Sequence, residues 1–217
     1  MSEVFSDISA ALQAGKAKDV KELITKALAE GADAKDILDK GLLAGMDVVA
    51  VKFRAGDVFV PEVLISARAM NAGTALLKAS LAEAGAKPVG KAVIGTVKGD
   101  LHDIGKNLVR MMFEGKGIEV VDLGVDVSPE MFIEACRNEE PDIVAMSALL
   151  TTTMGEMKAV VDAFVAEGLR DKVILMVGGA PVSESFRESV GADLYAEDAA
   201  SAAEAAKRAI TQKNGSH

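Results

Sequence analysis

The chain has 217 residues, half of them hydrophobic, with a formal charge of −9 from 33 acidic and 24 basic side chains. That length suits one or two domains with a real core, and the composition excludes a disordered chain. The acidic balance argues against nucleic acid or an anionic membrane as a partner, and one cysteine, Cys136, excludes a disulfide scaffold and a Cys-rich zinc or iron–sulfur site.

A first helix is predicted over 6–14. Val20, Leu23, Ile24, Ala27 and Leu28 stand at helical spacing and predict a helix over 19–29, stopped by Gly31. Ile37, Leu38, Leu42, Met46, Val49 and Phe53 repeat the pattern over 33–53. Gly41 and Gly45 interrupt it, each costing ~1 kcal/mol against alanine unless close helix packing needs the missing side chain. Pro61 suits the first position of a long helix over 61–84. Four helices with short connections pack most simply as an antiparallel bundle.

From residue 88 the period changes. Continuous apolar runs over 91–97, 118–123, 143–148, 173–177 and 193–196 alternate with helical segments over 104–115, 129–139, 153–167, 183–189 and 199–211. Continuous runs mark strands buried on both faces of a parallel sheet. The expected fold is α + α/β: an N-terminal four-helix bundle, residues 1–87, followed by a Rossmann-like (flavodoxin-like) five-stranded parallel α/β domain, residues 88–217. Ligands of such sheets bind beyond the carboxyl ends of the strands. The longest charge-free stretch, 143–155, is short of the ~20 residues that span a bilayer. The opening MSEVFSDIS has neither a basic start nor an apolar run, so a cytoplasmic location is expected. The polar tail QKNGSH reads as a frayed end, which sets His217 aside.

His102 is then the one internal imidazole. It lies in the loop Val97-Lys98-Gly99-Asp100-Leu101-His102-Asp103-Ile104-Gly105-Lys106-Asn107, after the first predicted strand. Five residues separate Gly99 from Gly105 where a phosphate loop has four, and Asn107 stands where Ser or Thr would bind magnesium. No dinucleotide fingerprint and no nucleophile elbow occurs. What remains is an imidazole with a carboxylate two residues before it. Asp100 can hold one ring nitrogen and make the other a better metal donor. One histidine does not make a zinc site, but it suffices for a metal whose other positions a macrocycle fills.

Asp100-x-His102-x-x-Gly105 matches the D-x-H-x-x-G motif of cobalamin-binding domains. Ser147-x-Leu149, followed by Thr151 and Thr153, resembles the S-x-L segment after their third strand, and Gly178-Gly179-Ala180 the G-G after the fourth. Upstream, Phe59-Val-Pro61-Glu62-Val-Leu-Ile-Ser66-Ala67-Arg68-Ala-Met70 resembles the helical-cap signature of methionine synthase. Over about residues 5–210 the chain resembles the corrinoid proteins of three-component methyltransferase systems.

The resemblance implies cobalamin or a related cobamide bound base-off/His-on. His102 would be the lower cobalt ligand, Asp100 its hydrogen-bond partner, and Thr153 the third member of a proton relay where methionine synthase has serine. Gly99, Leu101, Asp103, Ile104 and Gly105 would line the loop beneath the corrin. Ser147, Leu149 and Thr151 would contact the displaced base, although Ser147 could instead cap the next helix. Gly178, Gly179 and Ala180 would leave room for the nucleotide tail, or form an ordinary strand-end turn. Tyr195 and Ala199 would close the far end of that pocket, and Phe59, Val63 and Met70 would cover the upper face. Cys136 reads as a buried small hydrophobe, and Met46, Met70, Met111 and Met112 as core filler.

The implied function is a methyl carrier. It would accept a methyl group on cob(I)amide from a substrate:corrinoid methyltransferase and hand it to a corrinoid:acceptor methyltransferase acting on a thiol or tetrahydrofolate. A reductive activator is a further expected partner. Such a chain is a subunit of a methyltransferase system rather than a complete enzyme. The rivals are a cobalamin-dependent sensor or regulator, for which no basic DNA-binding stretch is found, and the small subunit of a mutase, which would lack the bundle.

Overall fold

The helical spacing of the first 83 residues is realised as four rods. Helix α1 spans Ser2–Gln13 and α2 spans Ala17–Ala29. The third rod starts at α3, Ala34–Asp36, where the Asp33 carboxylate accepts from the N–H groups of Lys35 and Asp36. It continues without a break through a π-helical stretch, Ile37–Leu43, into α4, Ala44–Ala55. Helix α5, Val60–Glu83, completes the set. The sequence pattern anticipated the third rod as plain α-helix; seven of its residues are wound more widely. The two glycines inside it have a packing cause. A Cβ on Gly41 would lie 3.0 Å from Ile8 Cγ2, and one on Gly45 would lie 3.1 Å from the Ser9 backbone, so an alanine at either position would require α1 to give by a few tenths of an ångström. Ile8, Leu12, Ile24, Ile37, Leu42 and Leu77 are fully buried core residues of these rods.

This computed structural model describes residues 2–83 and 87–215. Ala84, the expected end of the long helix, and His217 lie outside the described residues. The chain divides into two compact units, Met1–Lys87 with Gly115–Gly117, and Pro88–Glu114 with Ile118–His217.

The second unit is a parallel sheet with strands in the order β2-β1-β3-β4-β5. The strands are β1 Gly90–Thr96, β2 Ile118–Asp122, β3 Ile143–Ser147, β4 Ile174–Gly178 and β5 Leu194–Tyr195. Helices α6 Ile104–Glu114, α7 Pro129–Glu139, α8 Met154–Ala166, α9 Glu184–Val190 and α10 Ala199–Gly215 alternate with them. The strand order reverses between β1 and β3, the switch point where doubly wound sheets bind ligands. In register, Thr96 stands beside Ser147 and Ser147 beside Gly178, so three adjacent strands end level with one another. Val93, Val144, Leu175, Phe132 and Phe164 pack into the core on one side of the sheet, with buried Cys136 among them. The tail is less frayed than its composition suggests: α10 runs on to Gly215, and Lys213 Nζ donates to the Lys172 carbonyl at 2.8 Å. No described helix is long and apolar enough to cross a membrane.

Candidate functional site

The loops after β1 and β3 meet at Asp100, whose side chain is fully buried. Its Oδ1 accepts from His102 Nδ1 at 2.8 Å and from the His102 N–H at 3.1 Å. Its Oδ2 accepts from the Thr153 hydroxyl at 2.8 Å and from the N–H groups of Leu149 and Leu150 at 2.8 and 3.2 Å. Burial alone would raise the Asp100 pKa. The bonds from Leu149, His102 and Thr153 outweigh it and hold the carboxyl well below the usual carboxylate range. An ionised Asp100 requires the proton on Nδ1, which leaves the lone pair of the half-exposed ring on Nε2. Thr153 is the first-turn neighbour of α8, yet its hydroxyl does not cap that helix. It has two acceptors within reach, Asp100 Oδ2 and the Leu150 carbonyl at 2.9 Å, and one proton to give.

Around this imidazole the surface is apolar. Leu101 is 71% exposed and Ile104 78%, with Leu149 and Leu150 exposed nearby in sequence to the Asp100 contacts. Large side chains left in water around one polar ring mark a ligand-binding face. Asp103 stands apart from this role: its carboxylate accepts from Asn107 Nδ2 at 3.0 Å, within the first turn of α6.

A cavity of about 270 Å³ opens at the carboxyl ends of the central strands. Gly105, Ser147, Gly178, Gly179, Ala180 and Ala199 line it, as do Ala196, Glu197 and Asp198. Ser147 does not cap α8, which begins seven residues later. Tyr195 and Thr151 are not among the lining residues; Tyr195 packs partly buried against the core, and Thr151 is exposed. The two glycines of the pair differ. Gly179 has φ +129°, and a Cβ there would run into the Ala148 carbonyl, so it serves the backbone. A Cβ on Gly178 would meet no protein atom within 4 Å and would stand in the cavity wall.

Phe59, Val63 and Met70 belong to the bundle unit. Phe59 is exposed, with its N–H donating to Glu62, whereas Val63 and Met70 are buried. Among the described residues no group of three His, Cys, Asp or Glu side chains could hold a metal ion by itself. Among the lining residues that the sequence did not mark is Lys106, buried at the start of α6, with Nζ 2.6 and 2.7 Å from the two Asp122 oxygens. Helical spacing assigns lysine to solvent, so only its place beside Gly105 pointed inward.

A corrinoid fits these residues on two observations: Nε2 of His102 has no hydrogen-bond partner among the described residues, and Gly178 leaves cavity volume that any side chain would fill. Fold and site thus define a cofactor-binding domain of the doubly wound α/β class with an imidazole offered near its switch point. Comparison with known proteins makes this specific. A family model described as B12 binding domain matches residues 90–206, and a second of the same description matches residues 4–78. The chain is 42% identical over 209 residues to the dimethylamine corrinoid protein of Methanosarcina barkeri, covering 96% of this chain and 98% of that one. It is similar in structure to a chain of the methanol:cobalamin methyltransferase complex MtaBC from Methanosarcina barkeri, with TM-score 0.86 and 36% identity over 96% of this chain and 80% of that one. A cobalamin-binding protein from Desulfitobacterium hafniense is similar at TM-score 0.79 and 32% identity, over 94% and 98% of the two chains. The chain belongs to the family of B12-binding corrinoid proteins.

Proposed function

We propose that the chain is a cytoplasmic methyl carrier that works between two methyltransferases, with residues 1–87 as its cap and 88–217 as its cofactor domain. When bound, the corrin cobalt supplies a reducible, strongly nucleophilic centre that takes up and gives away methyl groups. His102 Nε2 would hold the cobalt, and Ser147, Gly178 and Ala199 would line the room for the cofactor's base and nucleotide tail. Asp100 fixes the ring orientation and its tautomer. Leu149 and Leu150 N–H groups and the Thr153 hydroxyl keep Asp100 ionised, so the proton stays at His102 Nδ1. Leu101, Ile104, Leu149 and Leu150 would exclude water from the cofactor face that rests on them.

The observation that carries this reading is the buried Asp100 carboxylate 2.8 Å from Nδ1 of a half-exposed imidazole. The names of the relatives, a dimethylamine corrinoid protein and a methanol:cobalamin methyltransferase complex, favour the carrier over a cobalamin-dependent regulator. They also make methylated amines and methanol the first donors to offer, each with its own methyltransferase. A reductive activator belongs to the same scheme, since a reduced cobalt centre oxidises in side reactions.

The test is reconstitution with a corrinoid. Wild type should show the visible spectrum of a nitrogen-ligated cobalt, and His102→Ala the spectrum of one without that ligand. Identical spectra and affinities would remove His102 from the metal.

A further inference from the structure

Of the side chains in the loop that carries His102, Asp100 anchors it through the bonds to Leu149, Leu150 and Thr153. Leu101 and Ile104 point largely into solvent and the imidazole is half exposed, so these three side chains do little to fix the loop. Two side chains from outside the D-x-H-x-x-G motif hold its backbone as well. Thr96, the last residue of β1, is fully buried, and its Oγ1 donates to the carbonyl of His102 at 2.9 Å. Asp126, in the loop after β2, accepts from the Gly99 N–H at 2.7 Å, while its own N–H donates to the Asp100 carbonyl at 3.0 Å.

The loop after β2 is itself tied to the end of β1. Thr96 N–H donates to the Gly124 carbonyl at 3.0 Å, and Val127 N–H to the Thr96 carbonyl at 2.9 Å. Asp126 makes its contacts with φ +55°, the left-handed region that most side chains avoid. Glu140, the other described non-glycine residue with positive φ, simply closes helix α7. Asp126 closes no helix. A disfavoured backbone held at a ligand-bearing loop points to a role in shaping that loop.

We propose that Thr96 and Asp126 are positioning residues for the metal-ligand loop. Asp100 orients the imidazole ring, and Thr96 and Asp126 fix the backbone from which both ring and carboxylate project. A metal ligand needs its donor atom placed within a fraction of an ångström, and partners behind the ligand supply that placement. The inference rests on the reading of His102 as the cobalt ligand.

The test uses the full chain reconstituted with cob(II)alamin. Electron paramagnetic resonance of the Co(II) form reports an axial nitrogen through splitting of its lines, and titration gives the corrinoid affinity. Thr96→Val removes the hydroxyl at nearly constant shape. Asp126→Gly removes the carboxylate and relieves the positive φ. Both should fold with thermal midpoints close to wild type, lose corrinoid affinity by about threefold to tenfold, and mix nitrogen-ligated with unligated signal. Thr96→Ser and Asp126→Asn, which keep the donor and the acceptor, should stay within about twofold of wild type. In the cofactor-free chain the Gly99 amide should exchange faster in Asp126→Gly than in Asp126→Asn. Should Thr96→Val fail to fold, Asp126→Gly, on an exposed loop, decides alone. Full nitrogen splitting and unchanged affinity in the folded variants overturn the inference while a His102-dependent signal leaves the ligand reading standing. A signal that His102→Ala does not alter overturns both.

Discussion

The Asp100 carboxylate lies 2.8 Å from Nδ1 of His102, and the two differ sharply in exposure: the carboxylate is fully buried and the imidazole is half exposed. A buried anion with both oxygens engaged cannot swing toward solvent, so the ring that bonds to it has one orientation and one proton position. His102 is thereby made a directed donor at its exposed edge.

Asp100→Asn tests that dependence. An amide has one oxygen to offer where Asp100 uses two, so its NH₂ group must face either the His102 ring or the Leu149, Leu150 and Thr153 donors. The cofactor-free variant should lose about 2–3 kcal/mol of folding stability in urea denaturation, since buried donors are left without an acceptor. Its reconstituted spectrum should shift toward the form without an axial nitrogen. Wild-type stability with a wild-type spectrum would show that charge at this site is dispensable.

The Lys106–Asp122 pair makes a second prediction, with a pH dependence. Burial alone would raise the Asp122 pKa, but the Lys106 ammonium, the Gly124 N–H and the charge of Arg110 outweigh it and leave it below its ordinary value of 3.8. A depressed carboxylate contributes stability above its unfolded pKa and loses it as pH falls toward the folded value. Wild type should therefore be more stable than Asp122→Asn near neutrality, with the gap closing as pH falls through and below the ordinary carboxylate value of 3.8. Asp122→Asn should also cost more than Lys106→Met. The first leaves a nearly fully buried ammonium with only neutral acceptors, the Asn107 oxygen and the new amide oxygen, whereas the second leaves the more exposed Asp122 with the Gly124 N–H and Arg110. Chemical denaturation across that pH range checks both statements.

Much of this architecture was legible because apolar period follows element type. The change near residue 88 from helical spacing to short continuous runs is the change from bundle to parallel sheet, and the expected α7 boundaries coincide with Pro129–Glu139. The π-helical stretch Ile37–Leu43 was not legible, since its apolar residues satisfy ordinary helical spacing. Gly178 and Gly179 read alike in sequence but differ in space, because only Gly179 sits against the Ala148 carbonyl. Thr96, Asp122 and Asp126 went unread for a common reason. Each acts on the His102 loop or its helix through hydrogen bonds made in the folded state, and local patterning carries no trace of those partners.

The glycine pair separates a fold requirement from a ligand requirement. Gly179→Ala should destabilise the chain by about 2 kcal/mol or more, through the disfavoured φ of +129° and the clash with Ala148. Gly178→Ala places its methyl in open cavity space, so thermal unfolding of the cofactor-free chain should match wild type. Corrinoid affinity should nevertheless fall, because the methyl takes volume that the base or nucleotide tail needs. Equal affinity in Gly178→Ala and wild type would move the tail out of this cavity.

The apolar side chains beside His102 yield the last prediction. Leu101 and Ile104 are 71% and 78% exposed, so neither contributes much to the core, and exchanging them for glutamine should leave folding stability within about 0.5 kcal/mol. A flat, largely apolar ring system resting on them would bury that surface on binding, and each large aliphatic side chain removed from water contributes on the order of 1 kcal/mol when partly covered. Leu101→Gln and Ile104→Gln should each weaken corrinoid binding about fivefold, with the double variant near the product of the two because neither substitution alters the Asp100 bonds. Titration of the cofactor-free chain, monitored by the corrinoid spectrum, measures this. A loss of nitrogen ligation in these variants, rather than of affinity alone, would mean that the two side chains shape the loop and not the seat.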